Sequence, residues 1–279
     1  MNETEKKLET IEIDTLLEAL HQHYGYDFRN YAKASITRRI KGLVTKYKLK
    51  FISELIPQLL HDRSKFKFFV YDLSIPVTEM FRDHQFFLSI RENVIPYLKT
   101  YPYVKIWHAG CATGEEVYSM AIMLEEEKLL KKSTVYATDF NDLALKKAKE
   151  GIYDLSNTKQ YTRNYQKSGG IKSFGDYYYS KYESMKIENR LKKKLVFSNH
   201  NLTVDRVFSE VQLIMCRNVL IYFDKHLQNK VLELFTEALV PGGILAIGSK
   251  ETLDFSSVSH LYEPIDKKWK IYKKKVRFK

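Results

Sequence analysis

Cysteine is scarce in this sequence: Cys111 and Cys216 are the only two among 279 residues. They form no Cys-x-x-Cys pair, and no His/Cys cluster has metal-ligand spacing, so neither a disulfide framework nor a metal site is expected. Both read as reduced, buried thiols. Long apolar runs are missing as well. The stretch from Val211 to Phe223 is broken by Gln212, Arg217 and Asn218, short of the roughly 18 to 20 residues a membrane span needs. The opening MNETEKKLET is polar and holds no apolar segment of the signal-peptide kind. A cytoplasmic location without membrane insertion is the expectation. A Gly-x-Gly-x-x-Gly phosphate cradle is also absent.

Apolar residues make up 44% of the chain, enough for a sizeable core and against general disorder. The net charge of +12 favours an acidic partner: nucleic acid, an anionic membrane surface or an acidic protein. Part of it lies on an N-terminal helical segment and part in the lysine-rich stretch from Lys267 to Lys279. The basic residues do not interleave with aromatics as in an RNA-binding module, so no nucleic-acid partner is expected.

Residues 1 to about 90 read as helical, with only Gly25 and Gly42 as glycines. Ile36, Ile40, Leu43, Val44 and Tyr47 recur at helical spacing and face a core. Arg38, Arg39, Lys41, Lys46 and Lys48 cover the rest of that helix, as a solvated face or as a docking face for an acidic partner. From about residue 103 short apolar runs alternate with helical stretches, the pattern of a parallel α/β sheet. Strands are expected at Val104–Ala109, Thr134–Thr138, Leu195–Phe197, Val211–Cys216 and Ile244–Ile247. Helices are expected at Glu115–Leu130, Asp142–Glu150 and His226–Leu239, the last ended by Pro241-Gly242-Gly243. Alternation at Trp269–Tyr272 predicts an antiparallel edge strand. The tyrosine-rich stretch from about 154 to 194 reads as a small inserted subdomain.

Ile106 to Glu116, IWHAGCATGEE, runs from a strand through small residues into a helix. Such a turn lets a ligand approach the backbone at the sheet's carboxyl edge. Glu115 and Glu116 stand where a pyrophosphate would sit and repel it. A cofactor with a cationic part and no phosphate fits better, and S-adenosylmethionine has a sulfonium and an amino group. An ordinary glycine turn with acidic capping residues is the plain alternative. Asp139, ending the second strand, can accept from both ribose hydroxyls or cap the next helix. Asn201 can offer a donor and an acceptor to a purine edge, or simply make a turn. Arg217 and Asn218 follow an apolar strand, where they need a ligand or a salt bridge to be buried.

Taken in order, TEMFRD (78–83), AGCATGEE (109–116), ATD (137–139), HNL (200–202), CRNVLIYFD (216–224) and GGILAIGSKE (242–251) resemble the chemotaxis receptor glutamate methyltransferases, the CheR-type family. The resemblance covers nearly the whole chain. It implies a class I, Rossmann-like methyltransferase domain at 91–279, with an insertion at about 154–194, behind a small all-helical N-terminal domain with linker at 1–90. It implies S-adenosylmethionine as cofactor and O-methylation of glutamates on receptor cytoplasmic domains. Thr78, Arg82, Gly110, Glu116, Asp139, Asn201, Leu202, Arg217 and Asn218 match cofactor-contacting positions. Arg82 and Tyr222 match catalytic positions that hold the substrate near the methyl group. Arg38 and Arg39 are the expected substrate-binding residues. The chain departs from the family at Pro76, where asparagine is frequent and proline offers no polar side chain. A methyltransferase for another acidic or RNA substrate, or a non-catalytic cofactor-binding module, are the other readings.

Overall fold

The computed structural model describes residues 2–74 and 78–276; Pro76 lies outside them. The chain begins with helices α1 (Glu3–Tyr24), α2 (Lys33–Lys46), α3 (Leu55–His61) and α4 (Arg63–Ser74). Asn2 caps α1, accepting from the Glu5 N–H while Glu5 reaches back to the Asn2 N–H. Ile13, Leu16, Leu20, Ile40, Leu55, Phe69 and Leu73 close a core of their own.

Helix α5 (His84–Ser89), a π-helical turn (Ile90–Val94) and α6 (Ile95–Leu98) follow. Phe86, Ile90, Val94 and Leu98 pack with the sheet and not with the N-terminal helices. We therefore propose that the division between the two units falls between Ser74 and Thr78, ahead of the residue-90 boundary expected above.

The sheet alternates with helices: β1 (Val104–Ala109), α7 (Glu115–Glu126), β2 (Ser133–Asp139), α8 (Asp142–Glu150). The inserted segment holds β3 (Ile152–Asp154), α9 (Thr158–Lys167), β4 (Tyr178–Lys181), β5 (Ser184–Ile187) and α10 (Asn189–Lys192). Its strands form a separate three-stranded sheet in the order β3-β5-β4. The main chain then resumes with β6 (Leu195–Asn199), β7 (Val211–Cys216), α11 (Lys225–Ala238), β8 (Leu239–Ile247), β9 (Tyr262–Asp266) and β10 (Ile271–Lys274).

The large sheet runs β6-β2-β1-β7-β8-β10-β9. Its first five strands are parallel, and β10 pairs antiparallel with both β8 and β9. Strand order reverses between β1 and β7, so a crevice opens outside their carboxyl ends, where such sheets bind ligands. Ile106, Val117, Ile122 and Met215 fill one face, and Trp107, Ile214, Leu227 and Phe235 the other.

Two expectations need correcting. Pro241-Gly242-Gly243 does not separate helix from strand but lies inside β8, where the β7 pairing slips from Val211↔Leu239 to Leu213↔Ile244. Gly242, at φ 78°, supplies the bend of that bulge. The strand expected at Trp269–Tyr272 is β10, and it is not at the edge: it lies between β8 and β9. Trp269 and Lys270 belong to the turn before it.

The two units are sewn together through backbone. Ala32 donates to the Tyr222 carbonyl (2.9 Å) and Asp224 donates to the Asn30 carbonyl (3.0 Å). Tyr31 and Phe223 bridge between those bonds. Asn141 Nδ2 donates to Ser74 Oγ at 2.7 Å, tying the end of α4 to the cap of α8.

Candidate cofactor and active site

The crevice between β1, β2 and β7 is lined by every residue expected to contact the cofactor: Thr78, Arg82, Gly110, Glu116, Asp139, Asn201, Leu202, Arg217 and Asn218. Tyr222 and Arg39 line the same cleft. Residues scattered over the chain therefore meet in one place.

The floor is a turn of close backbone contacts. Gly110 and Cys111 donate to the Thr138 carbonyl at 2.8 and 2.9 Å. Gly110 has φ 74°, and a Cβ there would come within 2.5 Å of Val219 Cγ2, so any side chain would be strained and would press on the far wall. Asp139 holds the turn from below. Its Oδ2 accepts from the Ala112 N–H and its Oδ1 from the Asn141 N–H, both at 2.9 Å. Burial raises its pKa, and these N–H groups pull against that rise. The cap of α8 is Asn141, whose Oδ1 accepts from Leu143 and Ala144. Asp139→Ala is expected to weaken S-adenosylhomocysteine binding by about 1 to 3 kcal/mol, the worth of a charged hydrogen-bonding group. Calorimetry reads this directly, and unchanged affinity in a folded variant would remove Asp139 from the ribose position.

The acidic pair at the start of α7 separates. Thr113 Oγ1 donates to Glu115 at 2.7 Å, and burial lifts the Glu115 carboxyl to about 7. Glu116 turns into the cleft. Its Oε1 lies 3.1 Å from His108 Nδ1, and its Oε2 accepts from Arg217 at 2.9 Å. Burial opposes ionisation of Glu116, but the His108 hydrogen bond and the Arg217 charge outweigh it and lower the pKa. Arg217 reaches Asp83 at 2.5 Å and stacks its guanidinium 3.9 Å from the Phe86 ring centre. Protein carboxylates thus hold an arginine that the sequence left open to a ligand or a salt bridge, and its side chain still borders the cleft.

Arg82 sits on a kinked turn. Phe81 and Asp83, on either side of it, both have positive φ, 53° and 57°. The Phe81 N–H donates to Ser119 Oγ at 2.8 Å, and its ring is buried against Phe87 and Tyr165. Asn201 is locked in its own turn, its Oδ1 accepting from the N–H and hydroxyl of Thr203. Asn218 is left-handed, at φ 60°, and its N–H donates to Glu251 Oε2 at 3.2 Å.

Arg38 and Arg39 do not form one basic face. Arg38 is exposed, whereas Arg39 is only 9% exposed. Arg39 donates to the Leu73 carbonyl and lays its guanidinium 4.2 Å from the Tyr222 ring centre. The spacing held the signal: position 39 lies three after Ile36 and four before Leu43, on the buried stripe. Tyr31 and Phe140 also line the cleft without having been singled out, as does His200, quoted only as part of the HNL stretch and given no role. Burial pushes both cysteine thiols well up.

Comparison with known proteins agrees with this geometry. Residues 76–271 match the family described as CheR methyltransferase, SAM binding domain, and residues 11–74 match the CheR methyltransferase all-alpha domain. The chain belongs to the CheR methyltransferase family. It is 46% identical, over 97% of its length and 99% of the relative's, to a Pseudomonas putida protein described provisionally as a methyltransferase, Cher3. A chemotaxis protein methyltransferase of Listeria innocua is 30% identical over 82% of this chain and 85% of that protein. One from Borreliella burgdorferi is 28% identical over 87% and 88%. This CheR-family chain is accordingly an S-adenosylmethionine-dependent methyltransferase, with an all-helical domain ahead of a Rossmann-like one. Among its described residues no helix is long and apolar enough to cross a membrane.

Proposed function

We propose that this enzyme methylates glutamate side chains on the cytoplasmic domains of methyl-accepting chemotaxis receptors, giving glutamyl methyl esters. The observation that carries this reading is the character of the cleft around Tyr222. Two arginines, Arg82 and Arg39, share it with the tyrosine. That set suits an anionic side chain. A glutamate, with a pKa near about 4.3, arrives already ionised and needs no strong base to become a nucleophile. The bound cofactor supplies an electrophilic methyl on its sulfonium.

The residues' work is then alignment and exclusion of water. Arg82 orients the carboxylate. Tyr222, pinned between Arg39 and the backbone bond from Ala32, donates a hydrogen bond to it. Thr78, Gly110, Glu116, Asp139, Asn201, Leu202, Arg217 and Asn218 hold the cofactor. Arg38, exposed on α2, meets acidic residues on the receptor helix, and a cytoplasmic location belongs to the same reading.

The test is incubation with radiolabelled cofactor and purified receptor cytoplasmic fragments. Label that mild base releases is the expected result; base-stable label, or none on any fragment, sinks the proposal. Arg38→Glu should raise the KM for receptor several-fold while leaving cofactor affinity alone, and the wild-type KM should rise with salt. Insensitivity to both would make Arg38 an ordinary solvated residue.

A further inference from the structure

His108 occupies a place where an apolar side chain would serve the fold better. It is the penultimate residue of β1, 1% exposed, and its neighbours across the sheet are Ala137 on β2 and Met215 on β7, both buried. Its Nε2 is buried with no hydrogen-bond partner among the described residues. Burying a polar atom unpaired is unfavourable, so the ring's presence asks for a gain elsewhere.

That gain lies at Nδ1, 3.1 Å from Glu116 Oε1. An ionised carboxylate only accepts, so Nδ1 is the protonated nitrogen. Arg217 holds the other oxygen at 2.9 Å. Pinned at both oxygens, the Glu116 carboxylate cannot rotate. Each oxygen keeps a further lone pair, and the side chain borders the cleft.

We propose that His108 is a positioning residue that fixes Glu116 in the plane in which it accepts from the amino group of the cofactor's methionyl end. This rests on the reading of Glu116 as a cofactor contact. The amino group is common to S-adenosylmethionine and S-adenosylhomocysteine and takes no part in bond making. Loss of the pin therefore weakens both ligands alike and leaves the chemical step nearly untouched.

The experiment compares His108→Leu with His108→Asn. Leucine fills space without donating, whereas the asparagine amide stands close to where Nδ1 was and can donate to Glu116. Dissociation constants for both cofactor forms are measured by calorimetry, kcat and the cofactor KM by steady-state methylation, and folding by thermal melts. His108→Leu is expected to raise both dissociation constants on the order of tenfold, the worth of one charge-assisted hydrogen bond, with kcat within about twofold of wild type. His108→Asn should recover most of that loss. A folded asparagine variant as weak as the leucine one overturns the proposal, and so does a fall in kcat at unchanged affinity. Glu116→Gln separates the two readings. If it leaves affinity unchanged, Glu116 is not a cofactor contact. If it weakens binding while His108→Leu does not, only the role of His108 fails.

Discussion

Arg82→Ala is expected to lower kcat by about 100- to 1,000-fold, the usual worth of a fixed group that orients and stabilises reacting charge. Cofactor affinity should also fall, since Arg82 is among the residues expected to contact the cofactor, but by far less than kcat. The main-chain carbonyl of Arg82, which accepts from Arg217 at 3.3 Å, survives the substitution. So do the left-handed Phe81 and Asp83 that shape the turn. The deficit should thus lie in the chemical step. Arg82→Lys should recover only part of it, since an ammonium keeps the charge without the planar fork that receives two carboxylate oxygens. Steady-state methylation of a receptor fragment at saturating cofactor is the measurement. A kcat within tenfold of wild type in Arg82→Ala would take this arginine out of the reaction.

The second large effect concerns stability. Glu251 is buried, and its carboxylate gathers the loop after β7: Oε1 accepts from Val219 at 2.9 Å and Ile221 at 3.3 Å, and Oε2 from Gly248 and Asn218. Burial raises its pKa, and those same backbone N–H groups draw it down. Glu251→Ala leaves several buried donors unpaired at about 1 to 3 kcal/mol each before relaxation. It also frees Asn218 from the contact that accompanies its left-handed backbone. A loss of about 3 to 5 kcal/mol is expected, close to that of breaking a buried charged network, or roughly 10 °C in Tm. Differential scanning calorimetry checks it. Glu251→Gln, with one acceptor oxygen left, should fall between. A shift under about 2 °C for the alanine variant would mean that the loop holds itself.

The regular elements were legible because their signals are local. Asp142–Glu150 and Val211–Cys216 coincide with their expected bounds, since helical periodicity and a run of apolar strand residues announce them, although the cap of the helix is Asn141 and not Asp139. The β8 bulge was not, because Pro-Gly-Gly reads as a stop unless the neighbouring strand is known to slip. The cleft-lining residues were legible as a set through the family pattern. Their partners were not. Nothing in the spacing says that Arg217 is shared by Glu116 and Asp83, or that Glu251 reaches back to Asn218, because those meetings depend on the fold's long-range closure. Arg39 was misread for a different reason. Charge was taken as a mark of exposure, although a long guanidinium side chain at a buried helical position can extend along the core to a carbonyl and a ring.

The stitching of Asn30–Ala32 to Tyr222–Asp224 bears on how such a protein can vary by descent or be recombined. Main-chain bonds do not read side chains, so point changes at these positions leave the seam intact provided proline stays away from its donors, Ala32 and Asp224. Segment length is another matter. One residue gained or lost between α1 and α2, or between β7 and α11, shifts donors against acceptors and moves Tyr222 off Arg39. Chimeras that exchange the helical unit between relatives should therefore tolerate wide divergence in composition and very little in loop length.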